Sequence, residues 1–238
     1  IDNSFSIQTD FTSPLCFGDS TANVSVTING GNSPFTYSWS NSNSNSYILN
    51  DIPSGIYSVQ VTDSNNCSII DTFYIDEPLP LYLVDSLTNI SCNGNSNGTI
   101  NLNVSGGTIP YLFLWSTGDT TQNLSNIVSG EYIITITDSN NCVLIDSLTV
   151  NQPNELYAYF NLNYVSCYGL SDGNIDGTLI GGTPPFDYLW NTGETNLDLF
   201  NIPSDMFIIS ILDSNNCFFT DTIVVFEPLE LIADISFV

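Results

Sequence analysis

Asp63-Ser64-Asn65-Asn66-Cys67 recurs without change as residues 138–142 and again as residues 213–217. Asp63, Asp138 and Asp213 therefore stand 75 residues apart. Asp at a first turn position, with Asn where a left-handed backbone is tolerated, predicts a hairpin turn. On either side of the turn the chain alternates apolar and polar residues with a period of two, as half-buried strands do. Upstream run GIYSVQVT, GEYIITIT and DMFIISIL; downstream run SIIDTFYI, VLIDSLTV and FFTDTIVV. The expected inward residues upstream are Tyr57, Val59 and Val61, then Tyr132, Ile134 and Ile136, then Phe207, Ile209 and Ile211. Downstream, Asp71, Asp146 and Asp221 share parity with core positions, which predicts a bulge there rather than a buried charge.

The register extends outward through each period. An apolar opening run starts at Phe5, Leu81 and Leu156, and a cysteine follows at Cys16, Cys92 and Cys167. Next come a Gly, Asn and Ser-rich turn and an alternating strand carrying Val24, Val26 and Ile28, or Ile100, Leu102 and Val104, or Ile175 and Leu179. A Gly-Gly pair closes it at Gly30-Gly31, Gly106-Gly107 and Gly181-Gly182. Then a proline precedes an aromatic strand, PFTYSWS, PYLFLWS or PFDYLWN, whose Trp39, Trp115 and Trp190 share a face with the preceding aromatics. Repeat units of residues 1–78, 79–153 and 154–228 follow, with 229–238 reading as the first strand of a fourth. The chain reads as a piece of a longer protein.

A unit of this size buries only about 60% of its unfolded surface and is marginal alone. Six cysteines, two per unit, predict three disulfides in an oxidising, extracellular compartment. The expected pairs are Cys16–Cys67, Cys92–Cys142 and Cys167–Cys217, each closing a loop of about 50 residues and adding roughly 4 kcal/mol on the chain-entropy model. Seven short strands per unit, no helical periodicity and a Cys…Trp…Cys order predict an all-β fold of tandem Ig-like β-sandwiches, with each Trp near its disulfide. Tyr57 and Tyr132 stand where a tyrosine corner is expected; Phe207 has no hydroxyl to make one. Short linkers containing proline predict an extended rod with nearest-neighbour contacts.

The chain has 238 residues, 25 acidic side chains and no Lys, Arg or His. Nothing in it can neutralise a phosphate, which excludes nucleic acid and a direct grip on an anionic membrane. No run approaches the ~18 apolar residues of a membrane-spanning helix. Without His, Lys or Arg there is no base for a Ser or Cys nucleophile and no Schiff-base lysine. The triplicated turn aspartates read as structural, so no enzyme is expected. No cofactor is implied other than calcium, for which oxygen donors abound. The candidates are Asp19, Asn95 and Asp172 beside the first cysteines, and the linker acids Asp76, Glu77 and Glu227; none has the spacing of a D-x-D-x-D-G loop.

The pattern resembles the SprB repeat, whose units run C-x-G-x-S-x-G, G-G-x-x-P-Y-x-Y-x-W-S-x-G, L-x-x-G-x-Y and V-T-D-x-x-x-C, closing in E-P. The second unit carries CNGNSNG, GGTIPYLFLWSTG and IVSGEYIITITDSNNC, with counterparts in the other two. Ala22 replaces the Gly found at Gly98 and Gly173, and Asp205 replaces Gly55 and Gly130. The resemblance implies a stalk segment of a large surface adhesin of gliding Bacteroidota, exported by type IX secretion, located at the cell surface or in a secreted filament. Expected partners are neighbouring repeats of the same polypeptide. Two further readings are a module gripping surface polysaccharide through Tyr47, Tyr164 and Tyr168, and a filament built from other copies of the chain. The Asp-Ser/Thr motif that Bacteroidota use for O-glycosylation occurs at Ser20, Ser86, Thr120, Ser147 and Thr222.

Overall fold

The structure, a computed structural model, describes residues 5–233. Its regular elements are all β. The first period contains β1 (Ser6–Thr12), β2 (Ala22–Asn29), β3 (Thr36–Trp39), β4 (Ile48–Ile52), β5 (Gly55–Thr62) and β6 (Ser68–Ile75). The second contains β7 (Tyr82–Thr88), β8 (Gly98–Ser105), β9 (Leu112–Trp115), β10 (Leu124–Ile127), β11 (Gly130–Thr137) and β12 (Val143–Val150). The third contains β13 (Tyr157–Asn163), β14 (Gly173–Ile180), β15 (Phe186–Trp190), β16 (Leu199–Ile202), β17 (Asp205–Asp213) and β18 (Phe218–Val225).

Among the described residues each period thus has six strands, not seven. They form two antiparallel three-stranded sheets, β1-β2-β4 and β3-β5-β6 in the first period, with the same order in the others. After Trp39 the polar segment folds on itself instead of extending. The Ser42, Ser44 and Ser46 hydroxyls accept from the amides of Ser44, Ser46 and Ile48, each at 3.1 Å. Local side-chain bonds of this kind compete with a sheet ladder.

The two sheets of the first period face each other across one core. Val24, Val26 and Leu49 come from one sheet, and Trp39, Val59 and Val61 from the other. In the third period Ala158, Ile175 and Leu199 meet Trp190, Ile209 and Ile211 in the same way. The period-two pattern placed Val24, Val26, Val59, Val61, Ile175, Ile209 and Ile211 on these inward faces. Each indole keeps its hydrogen bond: Trp39, Trp115 and Trp190 donate to the carbonyls of Ser46, Thr121 and Asn196 at 2.8–2.9 Å. The Tyr57 hydroxyl donates to the Pro53 carbonyl at 2.9 Å, and that of Tyr132 to Val128 at 2.8 Å. The corner expected from the sequence forms in both.

Asp71 and Asp221 lie in unbroken ladders, opposite Val59 and Ile209. No bulge occurs at either. Both are on edge strands of their three-stranded sheets, so the carboxylate reaches water; Asp71 also accepts from the Thr9 hydroxyl at 2.6 Å. The register shifts fall elsewhere, between β2 and β4 and at the equivalent pairs β8–β10 and β14–β16. There Asp51, Asn126 and Asn201 adopt φ of 53°, 56° and 57°.

The chain's contacts resolve into two compact units. One comprises Ile1–Asp85, Leu102–Gln122 and Ile133–Ser147; the other comprises Ser86–Asn101, Asn123–Tyr132 and Leu148–Val238. The division passes through the second period, and each unit holds one disulfide.

Candidate functional site: the stapled joints

The recurrent turn is built around a buried carboxylate. In Asp138, Oδ1 accepts from the amides of Asn140 and Cys142 at 2.8 and 2.9 Å, and Oδ2 accepts from Thr108 at 2.8 Å. Asp213 does the same with Asn215, Cys217 and Thr183, and Asp63 with Asn65, Cys67 and Asn32. Two amides come from the turn itself. The third comes from the residue after the Gly-Gly pair, so one side chain locks two loops together. The second Asn of each turn is left-handed, at φ 63°, 66° and 63° for Asn66, Asn141 and Asn216. Burial pushes Asp63 and Asp138 up, but the backbone amides outweigh it and hold both below the usual carboxylate range.

The first cysteine sits on a different tight turn. The carbonyls of Cys16, Cys92 and Cys167 accept from the residue three further on, at 3.1–3.3 Å. The following glycine, Gly18, Gly94 or Gly169, has φ of 75–78°. Its amide is capped from the linker, by Glu77 at 2.6 Å, Gln152 at 3.0 Å and Glu227 at 2.7 Å. The neutral Gln152 does the same work, so the two linker acids serve as acceptors rather than as charges. Asp172 is held by the Ser166 hydroxyl and amide, which lower its pKa. Asp76 accepts from the Glu77 amide, and Asp19 and Asn95 are exposed. Among the described residues no three acids or cysteines converge into a metal-binding group.

The cysteines do not pair within a period. Cys16 joins Cys142, and Cys92 joins Cys217, across sequence separations of 126 and 125 residues. Cys67 and Cys167 are free and exposed. The reason is the length of the sandwich. Ala22, just past the Cys16 loop, packs with Tyr57 and Ile75 at the end where β5 begins. Cys67 follows the other end of β5, eight residues on. At about 3.3 Å per residue the two cysteines stand roughly 26 Å apart, where a disulfide needs Cα atoms within about 7 Å. The first cysteine of one period and the second cysteine of the next lie at facing ends and meet at a Cα–Cα distance of 5.5–5.6 Å. No disulfide crosses a core, and the tryptophans pack without one.

The staple has polar company. Asn140 Nδ2 donates to the Leu15 carbonyl at 3.1 Å, and Asn215 Nδ2 donates to the Ser91 carbonyl at 3.1 Å. Both acceptors immediately precede a stapled cysteine. The linker is pinned as well: Leu79 and Asn154 carbonyls accept from Gly107 and Gly182 at 2.7 and 3.1 Å. The asparagine clamp was missed at the sequence level, where both Asn residues read only as turn formers. The signal was present, since both are repeated in all three turns while only the second has to be left-handed.

The remaining expected residues stay apart. Ser20, Ser86, Thr120, Ser147 and Thr222 are all exposed. Tyr47 leans on Tyr37 in the first period, whereas Tyr164 leans on Phe226 in the third, near the exposed Tyr168.

No curated protein sequence matches the chain. Among solved structures, the eight N-terminal Ig domains of Down Syndrome Cell Adhesion Molecule align with 96% of this chain at 8% identity and a TM-score of 0.46. The chain spans 44% of that structure. The S-layer protein rSbsC(31-844) aligns with 93% of this chain, which spans 40% of it, at 13% identity and a TM-score of 0.28. The sequence model of the SprB repeat matches residues 8–44, 84–120 and 162–195, one segment in each period, running from the opening strand past the tryptophan. Three successive segments of the chain are thus similar to the SprB repeat.

Proposed function

We propose that this chain is a load-bearing stalk segment of a large extracellular adhesin, displayed at the cell surface and exported by type IX secretion, in gliding bacteria. The observation that carries the reading is the staple between successive repeats. A bond closing one repeat onto itself stabilises that repeat; a bond closing it onto the next makes the joint covalent twice. That arrangement suits a chain whose task is to transmit force. Disulfides also fit an oxidising location outside the cytoplasm, and the acidic surface keeps copies apart at low salt. The five exposed Ser and Thr residues suit glycan attachment in that setting.

The test is surface labelling with an antibody raised against the chain, together with deletion of the corresponding segment. Labelling of intact cells and weakened attachment to a substratum are expected. Labelling only after lysis would overturn the reading. A second reading, a grip on polysaccharide, is favoured by Tyr164 and Tyr168, 53% and 54% exposed on either side of Val165–Cys167. A glycan array with the Tyr168→Ala variant as comparison decides that point.

A further inference from the structure

Three asparagines in the chain precede a glycine: Asn29-Gly30, Asn93-Gly94 and Asn97-Gly98. Asparagine is a thermally labile residue. It is most labile before glycine, where no side chain hinders attack by the following backbone nitrogen on the side-chain amide carbon. The fold treats the three pairs unequally.

Two of them are held. Asn93 donates from Nδ2 to the Pro153 carbonyl at 3.1 Å, and the Gly94 amide donates to Gln152 at 3.0 Å. Asn97 donates from Nδ2 to the Ser91 hydroxyl at 2.7 Å and accepts from the Ser91 amide at 3.2 Å. Gly98 is buried where β8 begins, opposite Ile127. Asn29 is different. It is the last residue of β2, opposite Ser6, and it is exposed, as are Gly30 and Gly31. No hydrogen bond among the described residues holds the Asn29 side chain or the Gly30 amide. Gly30 and Gly31 have φ of 85° and 73°, so the chain leaves the ladder at the reacting bond. The exposure belongs to the position and not to its place near residue 1. The equivalent Ser105 and Ile180 are exposed too, in repeats whose preceding linkers are described. Neither carries an amide, so at this position the chemistry is confined to the first repeat. The turn also matters to the fold. Just past Gly30-Gly31 comes Asn32, whose amide donates to Asp63 Oδ2 at 3.3 Å and ties the two loops together.

We propose that Asn29 is a self-modifying site, which converts spontaneously to aspartate and isoaspartate and so loosens the first repeat with age. The proposal stands apart from the surface-stalk reading. The Gly30 nitrogen attacks Asn29 Cγ, and the new C–N bond closes a five-membered succinimide. The Gly30 proton passes to solvent base, and the side-chain nitrogen takes a proton from water and leaves as ammonia. Water then opens the ring at either carbonyl. Opening at Cγ restores the ordinary backbone with a carboxylate side chain. Opening at the backbone carbonyl routes the chain through Cγ and lengthens it by one carbon. One water is consumed and one ammonia released, and nothing is oxidised or reduced. The lengthened form shifts Asn32, whose amide the Asp63 carboxylate fixes in place.

The purified chain is aged in mildly alkaline buffer and sampled over days, with a second set in denaturing urea. Chymotryptic peptides are used, because the chain offers trypsin no Lys or Arg. Mass spectrometry with fragmentation that distinguishes isoaspartate then assigns each site. In the folded chain Asn29 converts about tenfold or more faster than Asn93 or Asn97, because each of those must first give up hydrogen bonds. In urea the three rates converge. Gln152→Ala frees the Gly94 amide and speeds conversion at Asn93 without changing Asn29. Aged wild type melts at a lower temperature than the aged Asn29→Ser variant, which carries the residue found in the second repeat. Equal rates in the folded chain, a faster Asn93 or Asn97, or aged chains that melt alike overturn the proposal.

Discussion

Asp138 makes the case for what one residue can hold. It is 2% exposed, and its two oxygens take three backbone amides from two loops. An Asn in its place keeps one acceptor and points an amide at the Thr108 N–H. Leaving such a group unsatisfied costs about 1–3 kcal/mol. We expect Asp138→Asn to lose that much in urea unfolding at neutral pH. The pH dependence follows from the lowered pKa. Both states are ionised above the ordinary Asp value of about 3.9, so the full contribution is present there. As pH falls below about 4 the unfolded chain takes up the proton first, and the contribution fades as pH passes the folded value. The difference between wild type and Asp138→Asn is therefore constant from neutral pH to about pH 5 and shrinks below 4. High salt during the measurement suppresses the opposing relief of repulsion among the 25 acids. A difference that grows toward low pH would refute the assignment.

At the scale of elements, the Gly-Gly turns join the strands of every sandwich, and tyrosine corners do so in the first two. Gly181 has φ +67°, and a Cβ there would stand 2.0 Å from the Glu155 carbonyl oxygen. Gly193 has φ +99° with nothing within 4 Å. Gly181→Ala must move backbone, whereas Gly193→Ala meets only conformational strain of about 1–2 kcal/mol. We expect a lower melting temperature for Gly181→Ala than for Gly193→Ala; equal values would refute the close approach. Tyr132→Phe removes the bond to Val128 at a cost of about 1 kcal/mol, a change the third repeat already tolerates as Phe207. Much of this level was legible beforehand, because alternation assigns faces and Asn-rich turns assign hairpins. The bulges at Asn126 and Asn201 were not, because a left-handed residue inside a short strand leaves no period to read. The cysteine partners were misread for a different reason. Evenness within each period suggested local pairing, but pairing depends on which end of the sandwich each cysteine occupies. Counting the eight residues of β5 from Gly55 to the turn would have separated them.

At the scale of the whole molecule, the two staples overlap along the chain, and this sets how far it can be stretched. From residue 1 to residue 238 the shortest covalent route uses both staples: residues 1–16, across to Cys142, back along the chain to Cys92, across to Cys217 and on to the end. That route contains about 89 residues, which at the ~3.5 Å per residue of an extended chain gives roughly 31 nm. Staples within each repeat would leave about the same length, but they need Cys67 and Cys167. Without those two cysteines only a Cys92–Cys142 bond would remain, leaving about 190 residues and roughly 65 nm, and the reduced chain extends to about 80 nm. Each inter-repeat bond also closes a loop more than twice as long as a local one, which on the chain-entropy model is worth about 5 rather than about 4 kcal/mol. The larger effect is mechanical, since neither staple can be bypassed without breaking a covalent bond. Single-molecule pulling from the two termini of the Cys67→Ser/Cys167→Ser variant reads the difference directly. We expect a contour length of about 30 nm that rises to about 80 nm on adding reductant. A plateau at about 65 nm would restore the local pairing, and a reductant-insensitive length of about 80 nm would remove the staples.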